Sequence, residues 1–327
     1  MSSGPIELRP NLIPRFYEGG PRISAFRGLA AHDDDAPEDW VASTTTVHGE
    51  DERGLSTLAD GTRLADLFAQ DPEAFFEPAH RARFGSDPTV LIKLLDAGER
   101  LPVHLHPDDR FAAAHLASRY GKTEAWFILD AEDGACVHLG FSRDVAPEEL
   151  DALVAEQDAD TLLSMLNRVP VTAGDAVFVP AGVPHAIGPG ILLLELQQPS
   201  DLSLLLEWGN LMPEAEASLG LPRALALSAV QRSRLSVEPL LQARGSTLFP
   251  AEADRYFRAE LVEGGAALEP SFSVLVGYGG EGLLQSESSP PVSVRRGSTV
   301  LVPFGAGPTR LDGSWRAVRC MPPLPAG

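Results

Sequence analysis

Three histidines and one glutamate carry the first chemical signal in this chain of 327 residues. His104 and His106 stand at i and i+2, a spacing that on a strand turns both imidazoles to one face. Glu124 follows 18 residues after His106, and His185 closes the run GDAVFVPAGVPH that starts at Gly174. Three imidazoles and a carboxylate brought together make a site for a divalent first-row metal, with positions left open to water or substrate oxygens. Taken singly the signals are weak: His-x-His pairs occur without metals, and a lone His185 reads equally as a core histidine bonded to a carbonyl. His32, His48, His80, His115 and His138 have no partners by spacing and read as ordinary surface or core residues. Lysine usage is a second signal, because only Lys93 and Lys122 occur against 24 arginines. A chain that uses Arg almost everywhere keeps Lys where a compact ammonium is needed.

The elements that must position these groups are mostly strands. Val90 to Ala97 (VLIKLLDA) reads as a buried strand, VHLH after Pro102 as a short one, and Ala125 to Asp130 and Ala135 to Leu139 as two more. Helical spacing predicts a helix over Thr62 to Phe76 with a break near Pro72, another over Asp108 to Tyr120, and most clearly one over Pro147 to Arg168. Residues 213–255 are poor in strand signals and read as a helical connector, after which β-type runs resume from Tyr256. One element recurs. GDAVFVPAG from Gly174 and GSTVLVPFG from Gly297 both fit Gly-x-x-Val-x-Val-Pro-x-Gly, 123 residues apart. A glycine turn, an alternating strand and a Pro-x-Gly corner, used twice, imply two similar small β-barrels. The first copy ends in His185 and the second has Pro308 at that point, so chemistry belongs to the first.

Composition narrows the function classes. The length suggests two compact units, and 44% hydrophobic residues suffice for a sizeable core. A net charge of −20 repels phosphate backbones and anionic lipid, which disfavours nucleic-acid and membrane partners. Two cysteines, Cys136 and Cys320, exclude a disulfide scaffold and a multi-cysteine metal site. The opening MSSGPIELRPNLIP lacks the basic-then-apolar pattern of a secretory signal, and a cytoplasmic location is expected.

Together, His-x-His, Glu124 and the corner ending in His185 describe the two halves of the cupin motif. The segments LIKLLDAGERLPVHLHPDD, GKTEAWFIL and GDAVFVPAGVPHAIGPGILLLELQQPSD go further and resemble the type I phosphomannose isomerases, or mannose-6-phosphate isomerases, which are cupin-fold zinc enzymes. The resemblance runs from about Leu91 to Asp201 in order and spacing, and continues weakly beyond. It implies an all-β bicupin of two jelly-roll barrels with a helical insertion at about 145–168. Residues 1–212 would form the metal-binding barrel, 213–255 the connector and 256–327 a degenerate barrel without ligands. It also implies an aldose–ketose isomerase that converts mannose 6-phosphate to fructose 6-phosphate, a sugar phosphate being its small-molecule partner.

Residue by residue, the resemblance makes His106, Glu124 and His185 metal ligands. His104 stands where the family has the glutamine of Gln-x-His, and an imidazole can ligate in its stead. One divalent ion is implied, zinc first, with manganese, iron or cobalt brought nearer by the extra imidazole. Lys122, in GKTE, becomes a catalytic and substrate-binding group. Glu195 and Gln197 match the family's Glu-Thr-Gln strand, Glu195 as a catalytic residue and Gln197 on the substrate. The general base stays open among Glu195, Glu207, a metal-bound hydroxide and a displaced His104. Two departures stand out. Leu205 occupies the place of the family's active-site arginine, and the Trp-Gly-Gly motif is reduced to Tyr17-Glu18-Gly19-Gly20. Three alternatives stand beside it: a cupin isomerase acting on another sugar, a metal-dependent cupin oxidase or dioxygenase, which the 18-residue gap before Glu124 opposes, and a non-catalytic sugar-binding paralogue.

Overall fold

The run ILLLELQ at Ile191–Gln197 is buried along its whole length and lies inside a sheet rather than at an edge. In the computed structural model, which describes residues 4–30, 36–243 and 248–325, seven antiparallel strands form that sheet. Their order is Leu241–Ala243, Asp175–Val179, Glu124–Ala131, Ile191–Gln197, Leu91–Ala97, Glu38–Val41 and Leu12–Ile13. A five-stranded sheet runs Leu204–Leu205, His104–Leu105, His185–Ile187, Cys136–Phe141 and Leu166–Pro170. The two sheets share one core, in which Val137, Leu139 and Ile187 of the smaller meet Leu95, Ile128 and Leu193 of the larger.

The carboxy-terminal residues from Arg258 on, with the first strand, form two further antiparallel sheets. Five strands (Ile6–Glu7, Thr299–Val302, Ser273–Gly279, Arg316–Met321, Arg258–Glu263) and four (Ala267–Leu268, Thr309–Gly313, Glu281–Ser286, Ser289–Arg295) bury Leu275, Val300, Leu284, Leu311 and Trp315 between them. The protein is thus mostly β, in antiparallel sheets. Its first strand crosses over, for Ile6 pairs with Leu301. Buried Arg27 pins that crossing: it donates to the Gly297 carbonyl at 2.9 Å and lies 3.2 Å from Asp39. The repeated glycines are both left-handed, Gly174 at φ 96° and Gly297 at φ 84°, and each leads into a strand.

The helices depart from expectation where side chains cap them early. The stretch expected as one helix over Pro147 to Arg168 is two helices, Pro147–Glu156 and Ala159–Ser164, followed by the strand Leu166–Pro170. Gln157 adopts a left-handed conformation at the first end, and Asp158 accepts from Thr161 N to start the second. The helix expected over Asp108 to Tyr120 is only Asp109–His115, capped by Asp108. Thr62 to Phe76 does break at Pro72, giving Leu64–Gln70 and Pro72–Phe75. Among the described residues of 213–255, helix occurs only in short pieces, and Leu241–Ala243 there pairs with the strand Asp175–Val179. His32 lies outside the described residues.

Candidate metal centre and its pocket

Strand register brings the ligand candidates together. His104 is the direct partner of His185 in the smaller sheet and of Leu205 on its other side. The ligand nitrogens of His104, His106 and His185 lie within 4.8 Å of one another. Each ring is oriented by its Nδ1, which donates to a main-chain carbonyl: Pro102 for His104 at 2.8 Å, Leu202 for His106 at 2.8 Å, Val183 for His185 at 2.9 Å. A carbonyl only accepts, so Nδ1 carries the proton and Nε2 keeps its lone pair, the form that binds a metal. Burial keeps two of the rings neutral as well. His104 is held well below the ordinary imidazole value by burial and by His185 and His106, and His106 is pushed down to about 3 by burial and by Lys122.

Glu124 opens its strand beside them, with Oε2 3.0 Å from His106 Nε2 and Oε1 3.3 Å from His185 Nε2. The close trio is formed by the histidines, and Glu124 touches two of the three. Burial would raise its carboxyl, but Lys122 and His106 outweigh that and hold it well below the usual range. Glu124 Oε2 and His185 Nε2 are buried without a hydrogen bond. Such atoms are costly unless something satisfies them. A divalent ion taking nitrogen and oxygen ligands would satisfy both, so the residues fit the metal that the resemblance implies.

The adjoining pocket is walled by His104, Lys122, Glu124, Glu195 and Leu205 among others. Lys122 Nζ lies 2.9 Å from His106 Nε2, 3.0 Å from Glu124 Oε2 and 3.5 Å from Glu195 Oε1. Burial would lower its pKa; the carboxylates of Glu124 and Glu195 raise it above the ordinary value, so it stays an ammonium. Glu195 is pushed up to about 8 by burial and by Glu124. Gln197 lies elsewhere than the pocket wall: it faces Glu124 across the strand pair and donates to the carbonyls of Gln198 at 3.1 Å and Ser200 at 2.6 Å. Leu205 is 7% exposed and lines the pocket, so its apolar side chain stands where a cation is expected from the resemblance.

Sequence reasoning missed the other wall, which holds Arg15, Glu38, Lys93 and Asp201. Lys93 pairs with Glu195 on one side and Trp40 on the other, in a cross-strand row that continues through Trp126 to Val177. Its ammonium sits 3.5 Å from Glu38 Oε2, 3.9 Å from Asp201 Oδ1 and 4.7 Å from the Trp40 ring centre. Arg15 binds Asp201 through two hydrogen bonds, 3.0 and 3.2 Å. Tyr17 donates to Glu38 Oε1 at 2.6 Å and Trp40 to Oε2 at 2.6 Å. Tyr17 of the reduced Trp-Gly-Gly motif thus belongs to this wall. The signal that pointed here was a charge in the middle of an apolar strand, contributed by one of only two lysines.

Antiparallel sheets with three clustered imidazoles that could hold a metal ion, and a carboxylate beside them, are those of a β protein of the cupin type. The chain matches no protein-family model. Over 235 residues it is 32% identical to mannose-6-phosphate isomerase ManA of Bacillus subtilis, an alignment covering 68% of this chain and 72% of that one. It is 35% identical over 205 residues to mannose-6-phosphate isomerase of Streptococcus mutans, where the alignment covers 60% of this chain but spans only 58% of the relative. The crystal structure of mannose 6-phosphate isomerase from Bacillus subtilis superposes with a TM-score of 0.75 at 25% identity, covering 97% of this chain and 99% of that one. The apo form of the Salmonella typhimurium enzyme, at 17% identity, shares the fold with a TM-score of 0.76 over 99% of this chain and 100% of that one. The chain belongs to the mannose-6-phosphate isomerase family.

Proposed function

We propose that this chain is a metal-dependent aldose–ketose isomerase, interconverting a mannose-type aldose and a fructose-type ketose through a cis-enediol. The observation that carries this is the convergence of three imidazoles with unprotonated Nε2 atoms beside a pocket lined by His104, the Lys122 ammonium and the Glu195 carboxyl. The relatives' names make mannose 6-phosphate the reference substrate. His104, His106, Glu124 and His185 would hold one divalent ion, zinc first, with manganese, iron or cobalt as alternatives. Bound there, a dication polarises the sugar carbonyl and stabilises the charge that develops on the two reacting oxygens.

The chain's own groups do the rest. Isomerisation moves a proton between C1 and C2. Glu195, pushed up to about 8 by burial and Glu124, exchanges a proton readily near neutrality and is assigned as the base. Lys122, kept charged beside two carboxylates, donates to a sugar oxygen. Gln197, expected on the substrate, is assigned to positioning instead, through its hold on the Gln198 and Ser200 carbonyls. Two barrels, with boundaries at 1–212, 213–255 and 256–327, belong to the same proposal, favoured by the two pairs of sheets, whose main core runs on from Ile128 and Leu193 to Val274 and Val318 while Leu284, Leu311 and Trp315 form a further cluster. No described helix is long and apolar enough to cross a membrane. Free Cys136 and Cys320 accord with the reducing cytoplasm.

The test is ketose formation by protein stripped of metal and then restored with zinc, manganese or cobalt. Turnover should return with metal, and Glu195→Gln should lose about a hundredfold or more in kcat at unchanged metal content. Turnover indifferent to metal, or none from folded protein with any of them, refutes the proposal. Sugar binding without turnover would favour the paralogue reading.

A further inference from the structure

The three imidazoles of the metal centre are oriented in two different ways. His104 and His185 donate from Nδ1 to carbonyls two residues behind them, Pro102 at 2.8 Å and Val183 at 2.9 Å, so each ring is set by the chain next to it. His106 donates to the Leu202 carbonyl at 2.8 Å, 96 residues away in the sequence. Leu202 belongs to no strand or helix, since residues 198–203 form an irregular link between Ile191–Gln197 and Leu204–Leu205. The aim of His106 Nε2 therefore depends on whatever holds that link in place.

The ties along the link fall into two groups. Gln197 Nε2 donates to the Ser200 carbonyl and the Ser200 hydroxyl to the Gly121 carbonyl, each at 2.6 Å, which fixes the link as far as Ser200. Next to Leu202 itself the tie is the buried Asp201 carboxylate. Both arms of Arg15 donate to it, at 3.0 and 3.2 Å, and the His48 N–H donates to its Oδ2 at 3.2 Å. Arg15 is 186 residues away, between the strand Leu12–Ile13 and the helix Pro21–Arg27. A two-bond fork fixes direction as well as distance, so Arg15 sets how the chain runs through Asp201 and where the Leu202 carbonyl points. The other group near His106 Nδ1 is the Ser203 hydroxyl at 3.3 Å, which can donate as well as accept and so does not fix the tautomer. A neutral ring that loses its Nδ1 proton carries it on Nε2 and cannot ligate there.

We propose that Arg15 and Asp201 are positioning residues for the metal ligand His106, acting through the Leu202 carbonyl. The inference rests on the metal-site part of the isomerase reading, and neither residue is in the proposed ligand set, so the pair persists when an ion is bound. Both also line the pocket, so the test reads the metal rather than turnover. Full-length protein freed of metal would be titrated with cobalt(II) and followed by visible absorption, which reports the number and geometry of the ligands. Asp201→Asn and Arg15→Gln should each weaken cobalt binding about tenfold to a hundredfold and alter the spectrum of the bound ion. Arg15→Lys, which keeps the charge but not the fork, should fall between them and the wild type. Gly297→Ala, whose new methyl would meet Phe26 and no residue of the site, should lose stability and keep the wild-type affinity. Unchanged cobalt affinity and spectrum in Asp201→Asn and Arg15→Gln overturn the proposal and leave the metal reading standing; either variant decides alone if the other does not fold. An equal loss of affinity in Gly297→Ala overturns it too, because general loosening would then explain the effect. Absence of cobalt uptake by the wild type refutes the metal reading and this proposal together.

Discussion

Replacing Lys93 by methionine tests whether the buried charge wall stabilises the fold as a unit. The side chain is 2% exposed, with carboxylate oxygens of Glu38 and Asp201 at 3.5 and 3.9 Å and the Trp40 ring beneath it. Lys93→Met keeps most of the apolar length and removes only the charge. Removing one member of a buried pair costs about 3–5 kcal/mol, chiefly because the partner is left charged and unpaired. Glu38 would keep Arg15, the Tyr17 hydroxyl and the Trp40 N–H, which places the expectation at the lower end, about 3 kcal/mol. At an m value of about 1–3 kcal/mol/M, the urea midpoint falls by about 1–3 M. Tryptophan fluorescence and far-ultraviolet circular dichroism would follow it, and their transitions must coincide for the shift to be read as a free energy.

The same variant has a pH signature. Burial raises Glu38, but Lys93 and Arg15 outweigh it and bring the carboxyl to about 2. A folded pKa below the unfolded one means stabilisation that is complete above the ordinary carboxylate range and is lost as pH falls towards 2. Without Lys93 the balance moves back towards burial and the folded pKa rises. Where it passes the unfolded value, stability is lost as pH rises. The cost of Lys93→Met should therefore be larger at about pH 7 than at about pH 4. In a double-mutant cycle, Glu38→Gln should recover part of the loss, since it removes the charge left behind. A cost under about 1 kcal/mol, or one independent of pH, would refute the reasoning.

Two further outcomes are expected. His106→Ala should lower metal affinity by about tenfold to a thousandfold, measured by metal content after dialysis and by calorimetry, because it removes a ligand already held in its lone-pair form; unchanged metal content would remove His106 from the site. Gly297→Ala should cost more than about 2 kcal/mol in thermal unfolding, since Gly297 sits at φ 84° and a Cβ there would overlap the Phe26 carbonyl oxygen. Gly61→Ala, at φ 86° with open space around it, should cost less and serves as the control; equal costs would show that the close approach to Phe26 is unimportant.

What could be read from the chain was local or repeated. The i, i+2 spacing of His104 and His106 puts them on one face of any strand, and a mostly apolar run such as VLIKLLDA marks a buried strand. The twin glycine-and-corner motifs marked one local element used twice, and both glycines do lead at positive φ into a strand. Helix ends were poorly legible, since Gln157 and Asp158 end and restart a helix by side-chain bonds that periodicity does not record.

Those regularities determined that this protein is built of strands and that its candidate metal ligands lie ahead of the connector, between His104 and His185. The tertiary structure decided what stands around them. Arg15, Glu38, Lys93 and Asp201 are far apart in the chain and form one wall only because the strands Glu38–Val41, Leu91–Ala97 and Ile191–Gln197 lie side by side and bring the segments before and after them into reach. Leu205 likewise acquires meaning only as the strand partner of His104. Charge pairing acts over a few ångströms of space irrespective of separation along the chain. Whether a buried cation is spent on a neighbouring carboxylate or left free for a ligand is therefore settled by packing.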